Sequence, residues 1–377
     1  MKARQPLTYF DNSATSFPKP PQVAEAVTRY LTEVGGSYGR SANKRCHEVA
    51  QVVEQCRDTL ASVLGINDAG HLCFTANATQ AANTVIRGMD FSAGRVLISP
   101  MEHNALARPL EALRLAGKIQ IDFLPAFPDG LIDVANICVP DDTRLVVVNH
   151  QSNVNGVTQP LATIRQAIGS TPLLVDASQS LGKVPFSAQV WGLDYVIFTG
   201  HKGLLGPTGT GGFWARDPQT VEPLLLGGTG SNSEHLAMPE FLPDRFEAGT
   251  PNVAGIFGLE AALSYPPEAL HHRDDFQELL TAIQAISDFR LYAAEDFNQQ
   301  GSLFSLTHKS LTSAELSWRL DDGFGIETRA GLHCAPLAHR HLGTAPDGTC
   351  RFSLSPYHAK ADLDYLLNAL IKVARTR

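Results

Sequence analysis

No apolar run in this 377-residue chain approaches the roughly 20 residues that cross a bilayer, and the opening MKARQPLTYFDN has no apolar signal core. Neither a spanning helix nor a secretory leader is therefore expected. No basic stretch stands out, and 30 basic against 38 acidic residues leave a net charge of −8. The electrostatic footprint of a nucleic-acid binder is missing. Cysteine is sparse: the six, at positions 46, 56, 73, 138, 334 and 350, never form a CxxC pair. In a chain of this size that points to reduced thiols in a cytoplasmic setting, not to a disulfide framework. There is no internal repeat, no strand–loop–GK[ST] phosphate loop and no G-x-G-x-x-G after a strand, which removes the usual nucleotide and dinucleotide sites. What remains is an ordinary globular composition, 44% hydrophobic and 18% charged, at a length that suits two domains.

Short apolar runs alternate with helix-length amphipathic stretches from about residue 20 to residue 215. The runs are LCFT (72–75), RVLISP (95–100), IQIDFLP (119–125), LVVVNH (145–150), LLVDAS (173–178), DYVIFTG (194–200) and GGFWA (211–215). Several are apolar on consecutive residues, as strands buried on both faces are. Helix patterns cover 21–33, 44–64, 79–89, 104–117 and 160–168. The alternation predicts a large α/β domain over 20–256 with a mostly parallel sheet between layers of helices. Gly- and Pro-rich loops then dominate 223–256. Beyond them, helix patterns at 255–264, 273–286, 312–321 and 360–375 mix with strand patterns at 302–307 and 350–354. That mixture predicts a smaller α+β domain over 257–377, to which segment 1–19 attaches.

In open α/β sheets, ligands bind beyond the carboxyl ends of the strands. ANATQ (76–80) offers bare N–H groups and Thr79 at a helix start, which suits a phosphate but equally an ordinary cap. MEHNA (101–105) sets His103 at a loop-to-helix junction, where a lone histidine is more often structural. QSNVNG (151–156) supplies Asn153 and Asn155, residues that also form turns. Asp176 ends a buried strand, a costly place for a carboxylate without a cationic partner. In TGHKGLLGPTGTGG (199–212), Lys202 leaves a strand end inside a Gly-rich loop. A lysine desolvated there loses pKa and becomes a nucleophile or Schiff-base former. Together these place a phosphate cradle, a ring neighbour, a buried carboxylate and a reactive lysine at one sheet edge. Pyridoxal 5′-phosphate asks for that set.

From YFDNSATSFPKP (9–20) to RFSLSPYH (351–358), the chain resembles the class V aminotransferase family of fold-type I pyridoxal-phosphate enzymes, and within it the cysteine desulfurases. The most specific pieces are MEHNA, VDASQS (175–180), TGHKGLLGP, FEAGTPN (246–252) and RAGLHCAP (329–336). The resemblance implies a mostly parallel seven-stranded sheet flanked by helices, L-cysteine as substrate and a homodimer. By position it implies that Lys202 attaches the cofactor, Asp176 meets the pyridinium nitrogen, Gln179 meets the phenolate oxygen and His103 stacks on the ring with a catalytic role. The phosphate falls to Thr79, Thr199 and His201, with Ala78 beside them. Gly249 and Thr250 complete that cradle from the neighbouring subunit. Asn153 lies near the substrate, Arg351 clamps its α-carboxylate, and Arg329 stands on the same side.

RAGLHCAP resembles the group II motif around a nucleophilic cysteine, which implies Cys334 as sulfur acceptor, a persulfide on it and L-alanine as product. His333, Arg329 and Arg351 would then favour its thiolate. Seventeen positions separate Cys334 from Arg351, as in the compact group II loop. Three features depart from the family pattern: Leu332-His333 stands where it has His-His, EHN stands where it has a His-rich motif, and Ala78 stands where it has threonine. L-selenocysteine is the alternative substrate, and a class V aminotransferase or lyase that ignores Cys334 is a further one. A persulfide must be handed on, so a sulfur-acceptor protein is an expected partner. His333, Cys334, His339 and His341 match no common zinc spacing, and no metal site is expected. The other five cysteines read as structural.

Overall fold

The computed structural model describes residues 5–39 and 43–375. Its larger sheet comprises β1 (Leu72–Thr75), β2 (Arg95–Ile98), β3 (Gln120–Phe123), β4 (Thr143–Asn149), β5 (Leu173–Asp176), β6 (Tyr195–Thr199) and β7 (Gly211–Ala215). The order is β1-β7-β6-β5-β4-β2-β3. Every pairing is parallel except the two made by β7. The seven expected runs thus form one sheet.

The β4 sequence explains the layering. Val146 and Val148 belong to the core on one face, and Leu145 and Val147 to the core on the other; all four are fully buried. A strand covered on both sides has no face to leave polar. The covering helices are α1 (Pro21–Arg29), α2 (Lys44–Leu64), α3 (Ala78–Gly88), α4 (Asn104–Leu115), α5 (Leu161–Ile168) and α6 (Val253–Ser264). Apolar faces of α2, α5 and α6 fill one core, and those of α3 and α4 the other. The 21–33 pattern breaks at Arg29 into a wider π turn, Tyr30–Val34, which closes on left-handed Gly35.

The second sheet is antiparallel, in the order β10-β11-β9-β8: β8 (Phe289–Tyr292), β9 (Leu303–His308), β10 (Arg329–Gly331) and β11 (Thr349–Ser353). It carries α7 (Arg273–Gln284), α8 (Ser313–Phe324), α9 (Pro336–His341) and α10 (Lys360–Arg375). Its core takes Phe10 from the N-terminal segment, and Asp11 bridges Ser353 of β11.

Two local features position the site. A Cβ on Gly211 of β7 would lie 2.9 Å from the Asn77 backbone, so only glycine lets the start of α3 lie against that strand. Arg57 on α2 is buried and pairs with Glu247 (2.8 Å), whose carboxylate also accepts from Phe74 N (2.7 Å). This ties FEAGTPN to β1. Among the described residues, no helix is long and apolar enough to cross a membrane.

Candidate active site

The carboxyl ends of β4, β5 and β6 and the starts of α3 and α4 converge on a cavity of about 170 Å³. His103, Asn153, Asp176, Gln179, His201 and Lys202 line it, as do Ala78, Thr79 and Thr199. Gly249 and Thr250 do not; both are exposed in the loop before α6.

Asp176 is the last residue of β5, and its Oδ1 accepts from Ser178 N at 2.8 Å. Lys202 follows β6. Burial is the main cause that lowers its pKa to about 8; Asp176 pulls the other way, Arg351 and Arg329 lower it further, and Cys334 raises it. One ammonium therefore feels both arginines, the aspartate and the cysteine, although Asp176 lies mid-chain and the other three toward its C-terminal end. His103 caps α4, with Nδ1 accepting from Ala105 N at 3.0 Å. Burial, then Lys202, pushes its pKa down to about 4. The ring is thus neutral near pH 7, with its proton on Nε2.

Asn77 caps α3 by accepting from Gln80 N at 2.9 Å. The first-turn N–H groups of Ala78 and Thr79 have no intrahelical acceptor, so the Asn77 cap leaves donors free for an anion. Thr199 Oγ1 donates to the Thr210 carbonyl (3.3 Å), and Gln179 Nε2 donates to the Ser13 carbonyl (2.9 Å). Several polar atoms around the cavity are buried without a partner: Ser178 Oγ, Gln179 Oε1, Asn153 Oδ1 and His201 Nδ1. Buried polar atoms are normally satisfied. Four orphans beside a lysine, a carboxylate and a free helix start fit a small, densely polar aromatic phosphate. The residues present fit pyridoxal 5′-phosphate.

Cys334 lies between β10 and α9 and is exposed. His333 and Cys334 both sit in the left-handed region, at φ 48° and 57°. Two such non-glycine residues in succession cost on the order of 1 kcal/mol each or more and need support from around them. The support is visible. Asn104 N donates to the Cys334 carbonyl (2.8 Å), Asn153 Nδ2 donates to the His333 carbonyl (2.7 Å), and Ala335 N closes the turn onto Leu332 O (2.8 Å). His333 Nε2 and Thr349 Oγ1 share a further hydrogen bond of 3.0 Å. Arg351 on β11 is paired across the strands with Arg329 on β10.

One expectation needs correcting. His333 does not help ionise the thiol, because burial, with Arg351 next, drives its pKa down to about 2 and leaves the ring neutral. Positive charge near Cys334 comes from the arginines and Lys202. His333 and His339 rings touch (centroids 5.3 Å), but His341 turns away to the Phe127 carbonyl (2.8 Å). Among the described residues, no three His, Cys, Asp or Glu side chains could hold a metal ion. Burial pushes Cys73 well above the ordinary thiol range and Cys350 up to about 12, which makes them inert. Cys138, in an apolar sequence context, is nonetheless exposed.

Sequence reasoning passed over Ser178, Asp11 and the Asn104 N–H. Ser178 stood inside VDASQS and Asp11 inside YFDNSATSFPKP, but nothing local reveals their contacts.

The buried histidines set an acid limit. Burial lowers His150, His333 and His339 to about 3, 2 and 4. When unfolded they titrate near pH 6.5. Their stabilisation is full above pH 6.5 and is lost as pH falls toward 4, because only the unfolded chain takes the protons. Glu102, raised to about 8 by burial, opposes this, since its proton is kept in the fold. His103 and His201, also lowered to about 4, add to the three rings and together they outweigh the one carboxyl, so moving from pH 7 to 4.5 is expected to cost several kcal/mol. Urea midpoints at the two pH values measure it; a midpoint that holds or rises contradicts the neutral rings.

Residues 8–366 match the aminotransferase class-V family, and the chain belongs to that family. It is 31% identical to a probable cysteine desulfurase of Methanothermobacter thermautotrophicus, over 97% of this chain and 94% of that one. A cysteine desulfurase of Escherichia coli K12 is 30% identical, over 98% and 94%. The fold superposes on the apo cysteine desulfurase of Thermococcus onnurineus NA1 with a TM-score of 0.89, at 25% identity, covering 98% of this chain and 95% of that one. For the E. coli cysteine desulfurase CsdA the values are 0.85, 26%, 97% and 94%.

Proposed function

We propose that this protein is a pyridoxal 5′-phosphate-dependent cysteine desulfurase that converts L-cysteine to L-alanine and carries the sulfur as a persulfide on Cys334. The observation that carries this reading is the convergence of Lys202, Asp176, His103 and the start of α3 on one cavity, whose Asn153 donates to the His333 carbonyl (2.7 Å) beside Cys334 and accepts on its own carbonyl from Arg351 Nη1 (3.1 Å). Relatives of near-full length named cysteine desulfurases support it.

The cofactor, when bound, supplies an electron sink for negative charge at the substrate's Cα. Lys202 would anchor it and move the proton at Cα, a task suited to an amine whose pKa lies near the working pH. Asp176 would hold the proton on the ring nitrogen, Gln179 would meet the phenolate oxygen, and His103 would cover the ring. The first turn of α3 at Ala78 and Thr79, with Thr199 and His201, would hold the phosphate, joined by Gly249 and Thr250 of a second copy in a homodimer. Arg351 would take the substrate's carboxylate, with Asn153 and Arg329 beside it. The Cys334 thiolate then forms an S–S bond as the substrate's C–S bond breaks. The C–S electron pair stays with Cβ, which takes up a proton. A thiolate of a sulfur-acceptor protein would then attack the outer sulfur, forming a new S–S bond as the Cys334 thiolate leaves. Six cysteines with no disulfide among them fit a reducing, cytosolic setting.

The test supplies cofactor-loaded protein with L-cysteine or with L-selenocysteine, together with a dithiol that reduces the bound persulfide and frees its outer sulfur, and measures alanine alongside sulfide or selenide. Alanine and sulfide in equal amounts are expected from cysteine. Turnover of selenocysteine alone would reassign the substrate, and no alanine from either would refute the reading.

A further inference from the structure

Arg351 is 1% exposed, and it already holds a carboxylate. Its Nη2 donates to Asp11 Oδ1 at 2.6 Å, its Nη1 donates to the Asn153 carbonyl at 3.1 Å, and its Nε is buried without a partner. The two ends of this ion pair differ in freedom. The Arg351 side chain is 2% exposed and lies on a central strand of its sheet, whereas that of Asp11 is 21% exposed. Asp11 sits on a segment pinned on both sides of it. Phe10 is fully buried in the smaller core, and Ser353 N donates to its carbonyl (2.7 Å). Further along, Ser16 N donates to the His201 carbonyl (3.0 Å), and the Ser13 carbonyl accepts from Gln179. The backbone of this segment is fixed across the site, while the Asp11 carboxylate has water on one side to turn toward.

We propose that Asp11 is a resident carboxylate that occupies Arg351 in the free enzyme, and that the substrate's α-carboxylate binds by displacing it. The inference rests on the reading of Arg351 as the carboxylate receptor. A buried guanidinium without a counter-ion is costly, and Asp11 removes that cost between turnovers. Part of the substrate's binding energy is then spent on opening the pair, so affinity is lower than Arg351 alone would give. The cost of displacement falls equally on every carboxylate that takes Arg351, so the pair sets affinity and leaves the ratio between ligands unchanged. Asp11 thus tunes affinity by acting through Arg351.

The probe is propionate, an unreactive carboxylate, titrated by calorimetry into the holoenzyme, together with KM and kcat for L-cysteine. Asp11→Asn is expected to bind propionate about tenfold more tightly, the size of one modest charge-assisted hydrogen bond, with KM falling in parallel and kcat moving far less. Asp11→Ser carries the same expectation should the amide variant fold poorly, and Asp11→Glu restores weak binding. Unchanged or weaker propionate binding in both neutral variants overturns the proposal and leaves Asp11 a structural counter-ion. Arg351→Met separates the two layers. If it leaves propionate binding and KM unchanged, the receptor reading itself fails; if it abolishes both while the Asp11 variants tighten neither, only the displacement fails.

Discussion

Lys202→Ala is expected to lower alanine formation from cysteine by roughly a thousandfold or more, the scale of losing a positioned acid–base group. Lys202→Arg is expected to fail as completely, and the comparison is the sharper one. Arginine keeps the positive charge that Asp176 faces but does not give up its proton at any working pH. If the role of Lys202 were only to neutralise Asp176, the arginine variant would retain much of its rate. If its role is to take and return a proton, arginine is no better than alanine. Steady-state alanine release decides, and an arginine variant above about a hundredth of wild type would contradict the proton-transfer role. The lowered pKa also fixes a pH trend. The neutral amine gains population as pH rises through about 8, so before cofactor is added, reactivity of Lys202 toward an aldehyde should rise across that range.

Cys334→Ser is expected to remove sulfide release from cysteine by a comparable factor, roughly a thousandfold, because a hydroxyl at this position is neither ionised nor able to hold sulfur. Cofactor binding should survive, since Cys334 does not line the cofactor cavity. Cys138→Ser is the matched control: an exposed thiol elsewhere on the surface, expected to leave turnover intact. Full sulfide release by Cys334→Ser would end the persulfide reading while leaving the cofactor site untouched.

These two residues were legible in the sequence for different reasons. Lys202 stood out because a lysine at the end of a buried strand has nowhere to reach water. Cys334 stood out by resemblance and by its polar, glycine-containing surroundings. The large sheet was readable because β4, β5 and β6 are apolar on successive residues, which only burial on both faces explains. β8 and β10 were not. β10 is three half-buried residues, Arg-Ala-Gly, at the edge of its sheet, with no apolar pattern to announce it. Asp11 escaped notice because its partner is 340 residues away, and the Asn153–His333 contact spans 180. The part assigned to His333 reversed because charge state depends on burial, which only the packed structure shows.

The paired left-handed residues at His333 and Cys334 bear on delivery. Their backbone is tethered to α4 through Asn104, to the loop after β4 through Asn153 and to its own closing turn through Ala335. A sulfur carried on Cys334, as proposed, would have no arm on which to travel. An acceptor would then have to bring its own thiol to a stationary donor, so the reach required for transfer would fall to the acceptor.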